Sequence, residues 1–73
     1  MAASFQTGDR VEWNWGAHTA NGTIRKVHTE DVTATLKGSE ITRHASAECP
    51  AYTIEQEDGD VVLKSQSEIW KAK

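Results

Sequence analysis

Hydrophobic and polar residues alternate along much of this chain, most clearly from Ala51 to Leu63, AYTIEQEDGDVVL. Two short runs meet there at Asp58-Gly59, a dipeptide whose tolerance of positive φ favours a tight hairpin turn. With Asp58 and Gly59 as a two-residue loop, Gln56 lies opposite Val61, Ile54 opposite Leu63 and Tyr52 opposite Ser65. Tyr52, Ile54, Val61 and Leu63 then share an inward face, and Thr53, Glu55 and Lys64 an outward one. That register sets Glu57 opposite Asp60, two like charges. A four-residue loop from Glu57 to Asp60 removes the clash and leaves the faces unchanged. The loop length stays open.

The same alternation places other strands. Thr7-Gly8-Asp9 reads as a turn, and Arg10-Val11-Glu12-Trp13-Asn14-Trp15 then alternates strictly, with Val11, Trp13 and Trp15 on one face. Gly16 to Asn21 reads as a polar loop closed by an Asn21-Gly22 turn. The next strand, about Thr23 to Thr29, breaks the period, because Ile24 and Val27 are three apart. A bulge near Arg25-Lys26 would bring both inward and help the sheet curl. Val32 to Leu36 alternates again, with Val32, Ala34 and Leu36 on one side, before a Lys37-Gly38-Ser39 turn. Glu40 to Pro50 predicts a short strand, then a structured loop that Pro50 ends. Ser65 to Glu68 resembles one helical turn, and Ile69-Trp70 a closing strand. Met1 to Gln6 is a frayed start with Phe5 able to dock, and Lys71 to Lys73 a tail.

Five or six short, bent strands with no helical periodicity predict an all-β fold, most economically a small SH3-like five-stranded barrel. At 73 residues the chain is expected to be one domain, 1–73, with its ordered core at about 5–70. So short a chain buries only roughly 60% of its unfolded surface, so the three tryptophans, one tyrosine and one phenylalanine are the natural core material. A homo-oligomer would add burial, and nothing in the sequence excludes one.

Composition narrows the function classes. The lone Cys49 allows no intrachain disulfide and no thiolate metal cluster. No apolar run reaches the roughly 20 residues of a membrane span, and the N-terminus lacks the pattern of a secretory signal, so a cytoplasmic location is expected. The net charge of −3 argues against general affinity for nucleic acid. Charge is nonetheless uneven: Arg10, Arg25, Lys26, Lys37 and Arg43 precede an acidic region around the hairpin. A solvated mixed surface is the plainer reading of that distribution, against a local basic face.

Gly8-Asp9-Arg10-Val11-Glu12-Trp13, Gly22-Thr23-Ile24, and Tyr52-Thr53-Ile54 before Asp58-Gly59 follow the order of Tudor-type barrels. The stretch Arg43 to Ile54, RHASAECPAYTI, is more distinctive. Through Arg43, Ala45, Ser46, Glu48, Pro50, Tyr52 and Ile54, with Lys64 after the turn, it resembles the hypervirulence-associated Tudor-like domain family of small bacterial and fungal proteins. The resemblance covers Phe5 to about Trp70 and implies a Tudor-like barrel in a family without an established reaction. The chain departs from it in Trp15 and in a longer polar stretch around Val32 to Ser39, where strand boundaries are the least defined.

Two constellations bear on binding. Trp13, Trp15, Tyr52 and Trp70 have the chemistry of an aromatic cage for a methylated ammonium. Trp13 and Tyr52, however, fall on inward faces, where they serve as core; Trp15 is the best exposed candidate. In the Arg43–Ser46 loop, the guanidinium fork suits a carboxylate or phosphate and Ser46 adds a hydroxyl. The competing structural roles are an Arg43 pair with Glu48 or Glu55 and a Ser46 bond to backbone near Pro50. The candidate ligand-binding residues are therefore Trp15, Arg43, Ser46 and Tyr52.

Catalysis finds less support. Cys49, His44 and Ser46 lie close in sequence without a defined third partner or oxyanion site. His18, His28 and His44 lack metal-ligand spacing, and no cofactor motif occurs. The expectation is a non-catalytic Tudor-like interaction module whose ligand is a peptide or small charged group. The alternatives are a weak nucleic-acid binder using Arg10, Arg25, Lys26, His28 and Arg43 with Trp15 stacking a base, and a small hydrolase using Cys49.

Overall fold

The structure, a computed structural model, describes residues 5–36 and 38–72. Met1 to Ser4 of the frayed start, Lys37 of the expected turn and Lys73 of the tail lie outside the described residues. The described residues form seven strands: β1 (Arg10–Trp15), β2 (His18–His28), β3 (Val32–Leu36), β4 (Ser39–Arg43), β5 (Ala51–Glu55), β6 (Val61–Ser65) and β7 (Ile69–Lys71). One 3-10 turn, Gln66–Glu68, separates β6 from β7. Five strands make an antiparallel sheet in the order β6-β5-β2-β1-β7, while β3 and β4 pair only with each other. The all-β fold is thus found with seven strands where five or six were expected, and Val32–Leu36, expected as a strand of the barrel, pairs only within a two-stranded ribbon beside the main sheet.

The core follows from the alternation. Val11 and Trp13 on β1, Ile24 on β2, Tyr52 and Ile54 on β5 and Ile69 on β7 are buried together, with Ala20 and Val62 packed against them. Phe5 docks as expected: its ring meets Tyr52 edge-on at 5.7 Å between centroids, and its N–H donates to the Tyr52 hydroxyl at 3.2 Å. That hydroxyl in turn donates to Gln66 Oε1 at 2.7 Å. One tyrosine so ties the N-terminal segment to the 3-10 turn while its ring fills the core.

The expected bulge lies between Ile24 and Lys26, where the β2–β5 register shifts. It sets Val27 opposite Tyr52, on the inward side. Val27 still remains 37% exposed, because it sits near the end of the ladder and beyond the packed cluster. Burial of Val27 was the expectation there, and only Ile24 fulfils it.

Asn21-Gly22 is not a turn. β1 and β2 are joined at Gly16-Ala17, with Trp15 opposite His18, and β2 runs through Asn21 and Gly22 without a break. The glycine has a packing cause: a Cβ at Gly22 would lie 2.7 Å from both the Glu55 carbonyl oxygen and Ile54 Cγ2. It lets β5 cross β2 closely.

The β5–β6 hairpin also departs from expectation. Its loop has three residues, Glu57-Asp58-Gly59, with Gln56 and Asp60 closing it: Gln56 N–H donates to the Asp60 carbonyl at 2.7 Å and Gly59 N–H to the Gln56 carbonyl at 2.9 Å. Gly59 takes φ +90°, the positive value such a loop needs at its last residue. An odd loop shifts the ladder by one, so Ile54 faces Val62 and Thr53 faces Leu63. Val62, not Leu63, joins Tyr52 and Ile54 on the inward side. Leu63 is buried all the same, at 2% exposure, on the opposite side. The β3–β4 ribbon approaches β6, and Leu36, Ile41 and Leu63 line the space between them.

Candidate functional site

The ribbon has two unlike faces. Val32, Ala34, Leu36, Ile41 and Arg43 are half-buried, whereas Thr33, Thr35, Glu40 and Thr42 face solvent. Its half-buried face looks onto a groove of about 450 Å³, within the usual range of ligand sites. Leu36, Ser39, Ile41 and Arg43 form one wall, and Val61, Val62, Leu63 and Lys64 the other. Trp13 and Trp15 of β1 complete it, with Gln56 and Asp60 from the β5–β6 loop.

The β6 wall consists of four consecutive residues. Side chains alternate across a strand, so a wall of consecutive residues runs along the strand's edge and not on one face. β6 is the terminal strand of the five-stranded sheet, and its only ladder partner is β5. Among the described residues, its outer edge therefore carries backbone groups with no ladder partner.

Trp15 and Arg43, two of the four candidates, meet at this groove. Trp15 is 65% exposed, at the end of β1. Arg43 is the last residue of β4, and its Nε donates to Glu68 Oε1 at 3.0 Å while Nη1 donates to the Thr42 carbonyl at 3.2 Å. The carboxylate partner is therefore Glu68, not Glu48 or Glu55. Glu55 instead holds Arg25 at 2.7 Å. Glu68 is itself fixed by the Ser65 N–H at 2.8 Å. Burial pushes its carboxyl upward, but the Ser65 N–H, the Arg43 guanidinium and the Lys64 charge outweigh this and hold its pKa below the usual value.

Ser46 and Tyr52 lie elsewhere. Ser46 and Cys49 exchange backbone hydrogen bonds at 3.1 and 3.2 Å, and Ser46 Oγ accepts from the Cys49 N–H at 3.1 Å. Its hydroxyl thus shapes the loop, as the structural reading foresaw. Tyr52 is fully buried with its hydroxyl engaged on both sides, so it presents no surface to a ligand.

The aromatic residues do not gather into a cage. Phe5 and Tyr52, edge to face, are the only ring pair in contact among the described residues. Trp70 lies opposite Glu12 on the β1–β7 ladder, on the face away from Trp13 and Trp15, and its Nε1 donates to Glu12 Oε1 at 3.1 Å. Nor, among the described residues, does a bare basic face form. Arg10 pairs with Glu57 at 2.9 Å, Arg25 with Glu55 and Arg43 with Glu68.

His44 pairs with Asp31 at 3.1 Å, and Asp31 Oδ1 also accepts from the Ala45 N–H at 3.1 Å. The His44 hydrogen bond, then that of Ala45, lowers the Asp31 pKa. This contact closes the base of the ribbon. Among the described residues no group of three or more His, Cys, Asp or Glu is placed to hold a metal, and no helix is long and apolar enough to cross a membrane.

Sequence reasoning missed Leu36, Ile41, Val61 and Val62 as groove residues, and met Lys64 only on the outward face of the hairpin and in the resemblance. The strict alternation of β3 was the available signal: a ribbon with one apolar face must lay that face against something. The family model described as the TUDOR domain of hypervirulence associated proteins matches residues 8–69. The chain belongs to this Tudor family. No curated protein and no solved structure matches it. The matched span of the Tudor domain contains both groove walls, from Trp13 to Lys64. Tudor-like domains are in general binding modules, and the domain here is all-β in keeping with that class.

Proposed function

We propose that this Tudor domain is a non-catalytic binding module that takes a peptide in the groove between β6 and the β3–β4 ribbon. The observation that carries the reading is the run of Val61 to Lys64 along a groove beside an unpaired sheet edge. An extended peptide can satisfy such an edge with main-chain hydrogen bonds while its alternate side chains reach the two walls. Leu36, Ile41 and Val61 supply apolar contact, and Trp15 a large exposed ring at the rim. Aromatic and arginine side chains are the usual anchors of such interfaces, and Trp15 and Arg43 are both here.

The nucleic-acid alternative has less behind it. Three of the five cations proposed for that face already hold carboxylates, and the overall charge is −3. The test is a pair of titrations followed by backbone amide chemical shifts, one with a pool of short peptides and one with mixed oligonucleotides at low salt. Peptide-induced shifts along Val61 to Lys64 and at Ile41 are expected. Shifts only with oligonucleotide, falling off steeply with salt, would replace the peptide reading.

A further inference from the structure

Two cationic side chains, Arg43 and Lys64, line the groove. Arg43 is oriented by Glu68 and by the Thr42 carbonyl through Nε and Nη1, and among the described residues its Nη2 has no protein acceptor. The Lys64 side chain lines the same groove and, among the described residues, makes no hydrogen bond or ion pair; its charge acts on Glu68. Glu68 therefore faces two cations and closes on one of them. Trp13, on the groove's inner side, carries a buried indole N–H that meets no acceptor, the only such side-chain group among the described residues. The one carboxylate lining the groove is Asp60, in the β5–β6 loop with an interaction of its own. It lies four residues along β6 from Lys64, about 13 Å away at the strand rise.

Resting on the peptide reading above, we infer that the peptide is acidic: an extended segment with an aspartate or glutamate side chain seated between Arg43 and Lys64 and an aliphatic residue against Leu36, Ile41 and Val61. Arg43 is pre-set for this. The Glu68 pair already fixes its planar fork, so a ligand carboxylate meets a donor that loses little freedom on binding. Lys64 contributes a second, mobile donor to the same oxygens. The outcome is the reverse of an aromatic cage: the site selects negative charge through donors, not positive charge through ring faces.

The experiment is selection from a library of random, capped octapeptides against the protein, followed by titration of individual winners into the protein and its Lys64→Gln and Arg43→Gln variants. Enrichment of acidic residues beside aliphatic ones is expected, with shifts mapping to Val61–Lys64. Each variant should weaken the winners by about tenfold, as for loss of a charge-assisted hydrogen bond. Lys64→Gln is the cleaner variant because it breaks no pair within the protein. Winners that map to the groove yet are neutral or basic, or bind Lys64→Gln unchanged, overturn the acidic inference and leave the peptide reading standing. No winners at all, or winners mapping away from the groove, overturn both.

Discussion

The five-stranded sheet and the β3–β4 ribbon are built from the same alternating pattern and stand at opposite ends of burial. The sheet encloses Val11, Trp13, Ile24, Tyr52 and Ile54 at 1% exposure or less, while no described residue between Val32 and Arg43 is buried. The ribbon shares no ladder with the sheet. It is held at its base by Asp31 with His44 and Ala45, and at its last residue by Arg43 with Glu68. On the peptide reading proposed above, stability and recognition are divided between the two. The sheet supplies the free energy of folding, and the ribbon supplies a wall that costs the fold little and leaves an apolar face against a groove.

The division can be broken by substitutions on its two sides. Trp13→Ala removes the largest fully buried ring and should cost about 3–5 kcal/mol. Against a total of roughly 4–11 kcal/mol for a chain this size, urea titration should find a large fraction of the stability gone and the midpoint moved far down. Gly22→Ala adds one methyl group but drives it into the Glu55 carbonyl and Ile54, at a cost of about 1–3 kcal/mol. A neutral Gly22→Ala would mean that β2 and β5 part easily, and the sheet would not be the rigid half. Ile41→Ala, on the ribbon, should cost about 1 kcal/mol because its side chain is only half-buried, yet it should abolish peptide-induced shifts in the groove. If Ile41→Ala destabilised as much as Trp13→Ala, the ribbon would belong to the core.

The smallest effect sharpens the tether. The folded pKa of Glu68 lies below its usual value of 4.5, so the stability it contributes is complete above that pH and is lost as the pH falls below it through the folded pKa. Glu68→Gln should lower stability at neutral pH by at most about 1 kcal/mol, given the partial exposure of both partners. The melting curves of variant and parent should converge on acidification. A constant gap across that range would assign the effect to packing and not to charge.

How far the sequence revealed this molecule depended on whether each signal was local. β1 from Arg10 to Trp15, the bulge at Arg25-Lys26, the helical turn after Ser65 and the closing strand all rest on neighbours in the chain, and all are found. Gly22 misled because a glycine required by an approaching strand looks the same as one required by a turn. The hairpin register misled because Val61-Val62-Leu63 offers an apolar residue at either parity, and a three-residue loop selected the one that splits the apolar set between the two faces. Leu63 could face away from the core only because the ribbon reaches over it. In the groove, Trp15 and Arg43 were visible as exposed chemistry, but Leu36, Ile41 and Lys64 became site residues through a tertiary approach that alternation alone does not orient. Ser46 and Tyr52 carried suitable groups that the fold uses for itself.

Because the ribbon pairs with nothing but itself, its length is a free variable. Adding one residue to each of β3 and β4 would extend the outer wall by about 3 Å while every rung of the five-stranded ladder kept its partner. Shortening it equally would leave β6 open to larger molecules. The height of the groove wall can therefore grow without disturbing the sheet's ladder, a freedom that a wall continuous with the sheet would not permit.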